Sequence, residues 1–266
     1  MSKKNISPRP YSSNIIFTQV YKNKRALWYP AAKTKGTKGV ILFLPGFPKY
    51  PGYSEFISFF KGENYNTLVP MYSGTFDSAG KFSVESAVAD VKIWYDFLKK
   101  NIIHYGPDKI QIIKKQNIIL FSLSFGGLIA GLALKKFSFS KIKKCIFVSP
   151  LWDMASYKNN KSSIHIANET SKIVSFAYPF SYRFENKQRF FSQIKGSIAY
   201  PDMNKPFIDS NKMYLMFCGK TDKVTPVAMT KSLAKMHKKN KLFIVEGGHA
   251  SKIELGKIIS IIKKNI

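Results

Sequence analysis

Short continuous apolar runs punctuate this chain, and between them apolar positions recur in steps of three and four. Val40-Ile41-Leu42-Phe43-Leu44 is the clearest run, stopping at Pro45-Gly46-Phe47-Pro48. A run without polar alternation predicts a strand covered on both faces. Thr67–Met71, Ile118–Phe121, Cys145–Val148, Met213–Cys218 and Leu242–Val245 repeat the pattern. Helical spacing fills the intervals. Phe56, Phe59 and Phe60 follow a start signal at Ser54-Glu55, and Val84, Val88, Val91, Tyr95 and Leu98 follow one at Ser83. Ahead of these lies a polar arm over residues 1–12. Ile15–Phe17 and Ala26–Pro30 then flank a charged turn and read as an antiparallel hairpin. Strands alternating with helices predict an α/β protein: a mainly parallel sheet with helices on both faces. No internal repeat is visible.

The alternation breaks from Leu151 to about Ser210, where prolines 179, 201 and 206 separate apolar clusters rich in aromatics. That stretch is too long for a plain connection. It reads as an inserted cap or a concealed pair of helices, dividing the chain into a core of residues 13–150 and 211–266 and a small cap over 151–210. The cap's aromatics would line an apolar acyl pocket or form the cap's own core.

Chemistry concentrates where strands end. Ile118-Ile119-Leu120-Phe121 runs straight into Ser122-Leu123-Ser124-Phe125-Gly126-Gly127, and an apolar helical segment follows at once. Such a turn leaves the Ser124 hydroxyl at the carboxyl edge of the sheet, against a helix N-terminus with free N–H groups. Small residues are needed two positions either side, and Ser122 and Gly126 fill those places. The pattern is that of a nucleophile elbow, with serine in place of the commoner first glycine. After the Met213–Cys218 run, Asp222 lies on a loop ahead of Thr225-Pro226, which reads as a helix start. After Leu242–Val245, His249 follows two glycines, and Ser251 with Glu254 reads as a capping box opening the last helix.

With Ser122-x-Ser124-x-Gly126, Gly219-x-x-Asp222 and Gly247-Gly248-His249 in this order on three post-strand loops, the chain resembles the α/β-hydrolase fold family over about residues 13–262. The resemblance implies Ser124 as nucleophile, His249 as general base and acid, and Asp222 as the residue holding the imidazole. It further implies an oxyanion hole from the backbone N–H groups of Phe125 and Phe47; Pro45 stands where many members carry histidine. The expected activity is cleavage of carboxylic esters through an acyl-enzyme, in the manner of a carboxylesterase or lipase. A peptidase or amidase of the same fold is an alternative, for which Glu169, Glu185 and Asp202 are candidate carboxylates for a substrate amine. A non-catalytic basic binding protein on this scaffold is another. Asp153 competes with Asp222 for the acid's role; Glu246, beside His249, reads as a solvated charge. His104, His165 and His237 have no strand-end setting, and Ser122 reads as packing. No Cys/His or HExxH spacing points to a metal, and no cofactor is implied.

Composition changes this picture little. The formal net charge is +28, from lysine almost throughout: Arg9, Arg25, Arg183 and Arg189 are the only arginines. The lysines are dispersed in pairs, without the arginine–aromatic interleaving of nucleic-acid motifs, so no specific nucleic acid is expected. A compositional drift of the whole proteome explains them; weak association with an anionic membrane surface is the functional alternative. No apolar run is long enough to cross a bilayer, and the basic start lacks the apolar stretch of a secretory signal. Cys145 and Cys218 sit inside apolar runs and read as buried thiols, which favours a cytoplasmic location. The partner expected is a small acyl ester or a short peptide as substrate; oligomeric state is left open.

Overall fold

The computed structural model describes residues 16–33, 36–48, 54–100, 102–104, 110–112, 117–152, 161–176, 180–194, 209, 211–225, 227–236, 238–249 and 253–266. Strands β1 (Phe17–Tyr21) and β2 (Lys24–Tyr29) form the expected hairpin. Its turn is Lys22-Asn23, both at positive φ (50° and 59°), the twist that matches paired strands. Then come β3 (Gly39–Leu44), α1 (Glu55–Gly62), β4 (Tyr65–Pro70) and α2 (Val84–Lys99). Both helices start where serine signals them. Ser54 accepts from Ile57 N–H, and Ser83 exchanges bonds with Ser86 in a capping box. A short hairpin follows, β5 (Ile102–His104) with β6 (Ile110–Ile112), which the apolar pattern does not predict. Next are β7 (Ile118–Leu123), α3 (Phe125–Lys136) and β8 (Ile142–Val148). Helices α4 (Lys161–Phe176) and α5 (Lys187–Ile194) lie within the aromatic stretch. The chain ends with β9 (Met213–Gly219), α6 (Val227–Lys235), β10 (Lys241–Val245) and α7 (Leu255–Lys263).

Eight strands make one sheet in the order β1-β2-β4-β3-β7-β8-β9-β10. Only the pairs involving β2 are antiparallel; from β4 to β10 every pair is parallel. The unbroken apolar runs are explained by their alternation between two cores. Val40, Leu42 and Leu44 of β3, with Ile118 and Leu120 of β7, pack under α2, α3 and α6. Ile41, Phe43, Ile119 and Phe121 face the opposite way, onto Phe56 and Phe60 of α1 and Ile258 and Ile262 of α7. Both thiols are fully buried, as expected.

Two expectations need correction. The Leu242–Val245 run is not covered on both faces: β10 is the sheet's edge strand, and Ile244 is 44% exposed. The last helix does not open through a Ser251–Glu254 capping box. A bridge between Gly247 and Ile253 and a Glu254 N–H to Glu246 C=O bond (3.0 Å) tie Ile253 and Glu254 to the end of β10, so α7 begins at Leu255 and Glu254, at its N-cap, makes no side-chain cap bond. Ser251 and Pro226 lie outside the described residues.

Candidate active site

Ser124 stands between β7 and α3 with φ 52° and ψ −118°, a conformation that an L-residue adopts at a cost of about 1–3 kcal/mol. The surroundings over-determine it. Its N–H donates to Val148 C=O (3.0 Å), and its C=O accepts from Gly127 N–H (2.8 Å) and Leu151 N–H (3.0 Å). Glycine at 126 is obligatory because a Cβ there would sit 2.2 Å from the Leu44 carbonyl oxygen, where α3 presses against the end of β3. At Gly127 the added carbon would meet Pro150 at 2.6 Å. Ser122 is fully buried with its hydroxyl directed to Ile146 C=O (3.4 Å), the packing role read from the sequence.

The loops after β9 and β10 are joined by their backbones. Lys220 N–H donates to Val245 C=O (2.8 Å) and Thr221 N–H to Gly247 C=O (3.0 Å). Gly219 permits the approach, since a Cβ on it would lie 2.2 Å from Gly248 O. Gly247 takes φ 102°, turning the chain so that His249 comes back over the sheet edge. There His249 Nε2 is 2.8 Å from Ser124 Oγ, and its Nδ1 is 3.0 Å from Asp222 Oδ2. The carboxylate can only accept, so Nδ1 carries the proton and Nε2 presents a lone pair to the Ser124 hydroxyl.

Asp222 is itself tightly held. Oδ1 accepts from Val224 N–H (2.8 Å) and Thr225 N–H (2.9 Å), and Oδ2 accepts from the Thr225 hydroxyl (2.7 Å) as well as from His249. Burial opposes its ionisation, but the His249 hydrogen bond and charge together with the Thr225 donors outweigh it, leaving the carboxyl below the ordinary carboxylate value. Thr225 was legible only as a helix start. Its hydroxyl in fact belongs to this chain of bonds, 3.4 Å from His249 Nδ1. The signal available was spacing, an Asp followed three residues later by Thr, as in side-chain-bonded turns.

The loop after β3 lies beside Ser124: a Cβ on Gly46 would be 3.4 Å from Ser124 Cβ and 4.0 Å from Oγ. Phe47 follows, its ring among Phe82, Phe125, Tyr182 and Phe190 with centroids 5.0–5.5 Å away. Phe125 is the first residue of α3, so its N–H has no helical acceptor behind it. Trp152, Tyr182, Phe190 and Phe191 are buried in the same core as α2 and α3, whereas Phe176 and Phe180 are exposed.

No protein-family model matches the sequence, and no curated protein matches it. Solved structures do. Esterase Pf2001 of Pyrococcus furiosus superposes with a TM-score of 0.62 at 17% identity, over 94% of this chain and 88% of the other. Est1E of Butyrivibrio proteoclasticus gives 0.61 at 16%, over 94% and 96%. The α/β hydrolase GrgF of Penicillium sp. sh18 gives 0.63 at 14%, again over 94% and 96%. The chain has the α/β-hydrolase fold. In that fold the three loops that bring Ser124, Asp222 and His249 together all leave the carboxyl ends of parallel strands, the edge where open sheets of this kind place their sites.

The competing residues are elsewhere or undescribed. Glu246 is exposed and pairs with Lys220 (3.2 Å). Glu169 pairs with Lys172 (2.8 Å) on the surface, and Glu185 is exposed. Asp153, Asp202 and His237 lie outside the described residues, as do the side chains of His104 and His165. Among the described residues no helix is long and apolar enough to cross a membrane.

Proposed function

We propose that this α/β-hydrolase-fold chain is a serine hydrolase that cleaves carboxylic esters through an acyl-enzyme. The observation that carries the reading is the unbroken chain of bonds from Ser124 Oγ through His249 to buried Asp222, on a serine held at positive φ. As Ser124 Oγ bonds to the ester carbonyl carbon, its proton passes to His249 Nε2. Asp222 keeps Nδ1–H in place and stabilises the resulting imidazolium. The carbonyl oxygen becomes an oxyanion, received by the N–H groups of Phe125 and Phe47. Collapse breaks the bond to the alcohol oxygen, which takes the proton from Nε2. Water then repeats the sequence on the acyl-enzyme, with His249 as base, and releases the carboxylic acid.

Fold neighbours named as esterases support ester over amide chemistry. The segment 151–210 is the cap in this reading, with most of its buried aromatics serving as packing. The test is steady-state hydrolysis of p-nitrophenyl esters of graded acyl length by the wild type, Ser124→Ala and His249→Ala. Turnover lost in both variants supports the reading; a folded wild type that hydrolyses no ester overturns it.

A further inference from the structure

The loop after β3 has no regular structure, yet ester hydrolysis as proposed needs its Phe47 N–H aimed to within about 0.5 Å. What holds the loop comes from the segment after β4. Tyr72 is 4% exposed, and its hydroxyl donates to the Pro45 carbonyl oxygen at 3.1 Å. That carbonyl belongs to the Pro45–Gly46 peptide, so the bond fixes the rotation of the peptide immediately before the one carrying Phe47 N–H. The Tyr72 ring also meets the ring of Phe125, which carries the second donor, edge-on with centroids 6.2 Å apart. Tyr72 thereby braces both walls of the oxyanion site. A partly open hollow beside the loop, walled by Pro45, Gly46, Phe47, Tyr72, Phe76 and Tyr182 among others, has a volume of ≈ 10 Å³. That is room for about one water at most.

Tyr72 is in turn clamped at both ends of one peptide. Its C=O accepts from Thr75 N–H (2.9 Å) and from the Thr75 hydroxyl (2.7 Å). On the other side of that peptide, Ser73 N–H donates to Asp90 Oδ2 (2.5 Å) and the Ser73 hydroxyl to Oδ1 (2.8 Å). Asp90 reaches across from α2 and is 1% exposed. A buried carboxylate is a costly way to anchor a helix, and an apolar contact would serve packing alone. An acid whose two oxygens match two donors of one residue fixes a single arrangement instead.

We propose that Tyr72, Ser73 and Asp90 are positioning residues that preset the oxyanion loop through the Pro45 carbonyl. This rests on the ester-hydrolase reading. Tyr72→Phe removes one hydroxyl and keeps the packing. With p-nitrophenyl acetate its kcat falls about 10- to 100-fold while KM stays within about twofold, because the lost alignment matters in the transition state. Affinity for a trifluoromethyl ketone, which forms a tetrahedral adduct, falls by a similar factor. Asp90→Ala shows the same split. Asp90→Asn restores most of kcat, since its amide oxygen accepts from Ser73 N–H and its NH2 donates to Ser73 Oγ. If Asp90→Ala does not fold, Tyr72→Phe carries the test. A folded Tyr72→Phe with wild-type kcat, or with a loss confined to KM, overturns the proposal. A wild type that turns over no ester overturns the underlying reading instead, so the two failures are told apart.

Discussion

Asp222→Asn is the substitution whose outcome the structure determines most closely. Oδ1 receives two backbone N–H groups, from Val224 at 2.8 Å and Thr225 at 2.9 Å. An asparagine therefore places its carbonyl oxygen there, and its NH2 takes the position of Oδ2, facing His249 Nδ1. The NH2 can only donate, so Nδ1 gives up its proton and becomes the acceptor. The proton then resides on Nε2, 2.8 Å from Ser124 Oγ, and the nitrogen that should take the serine proton has no lone pair to offer. Nothing else in the site need move; the Thr225 hydroxyl turns to accept from the same NH2. A tautomer reversed in this way costs about 10⁴-fold in kcat, or about 5.5 kcal/mol. The assay is steady-state p-nitrophenyl acetate hydrolysis, with circular dichroism to verify the fold. KM is expected within about threefold, because Asp222 lies behind His249 and away from the substrate. A folded Asp222→Asn enzyme keeping more than about a tenth of wild-type kcat would refute the argument, since tautomer control would then not reside in Asp222.

Stability should respond to pH in two opposite senses. Asp222 is depressed in the fold, so its contribution is present above the ordinary value of 3.8 and is lost as pH falls through the lower folded value. Denaturant midpoints followed from pH ~5 to ~2 are expected to drop more steeply for the wild type than for Asp222→Asn. Asp90 is pushed up to about 6, chiefly by burial, against the opposing Ser73 donors and the Lys24 charge. Unfolded, it ionises first as pH rises from 3.8 towards 6, so the fold loses about 3 kcal/mol across that window. Asp90→Asn escapes the loss, and its unfolding free energy relative to wild type is expected to rise between those pH values; a constant difference would contradict the burial argument. Gly126→Ala drives a carbon against Leu44 O and is expected to cost at least about 2 kcal/mol and most of the activity, read by thermal unfolding and turnover. Ser122→Ala loses one long hydrogen bond, at most about 1 kcal/mol, and leaves kcat unchanged.

The parts of the fold that were legible in the sequence share a cause. Where a strand is covered by both cores, as at Val40–Leu44 and Ile118–Phe121, every position must be apolar, and the run is visible without its partners. Serine caps at 54 and 83 are local interactions and read directly. The β5–β6 hairpin was missed because three-residue strands carry too little period to register. The last helix starts later than its capping signal implies because the Gly247–Ile253 bridge closes the loop ahead of it, and the spacing of Ser251 and Glu254 does not show that closure. Ser124, Asp222 and His249, which the fold brings within hydrogen-bond distance, stand out in the sequence because each lies on the loop just past a strand. The hydroxyl of Thr225 and the Tyr72–Ser73–Asp90 anchor do not. Their roles depend on which loops meet across the sheet edge, and nothing in the spacing of Ser73 and Asp90 announces that they touch.

The central claim is that His249 activates Ser124 and no other serine. Treating the folded wild type with a fluorophosphonate, then digesting and mapping the adduct by peptide mass spectrometry, tests it directly. The account predicts one adduct per chain, on Ser124, absent from Ser124→Ala and formed far more slowly in His249→Ala. An adduct on Ser122, labelling that survives in Ser124→Ala, or no adduct on the folded wild type would contradict it.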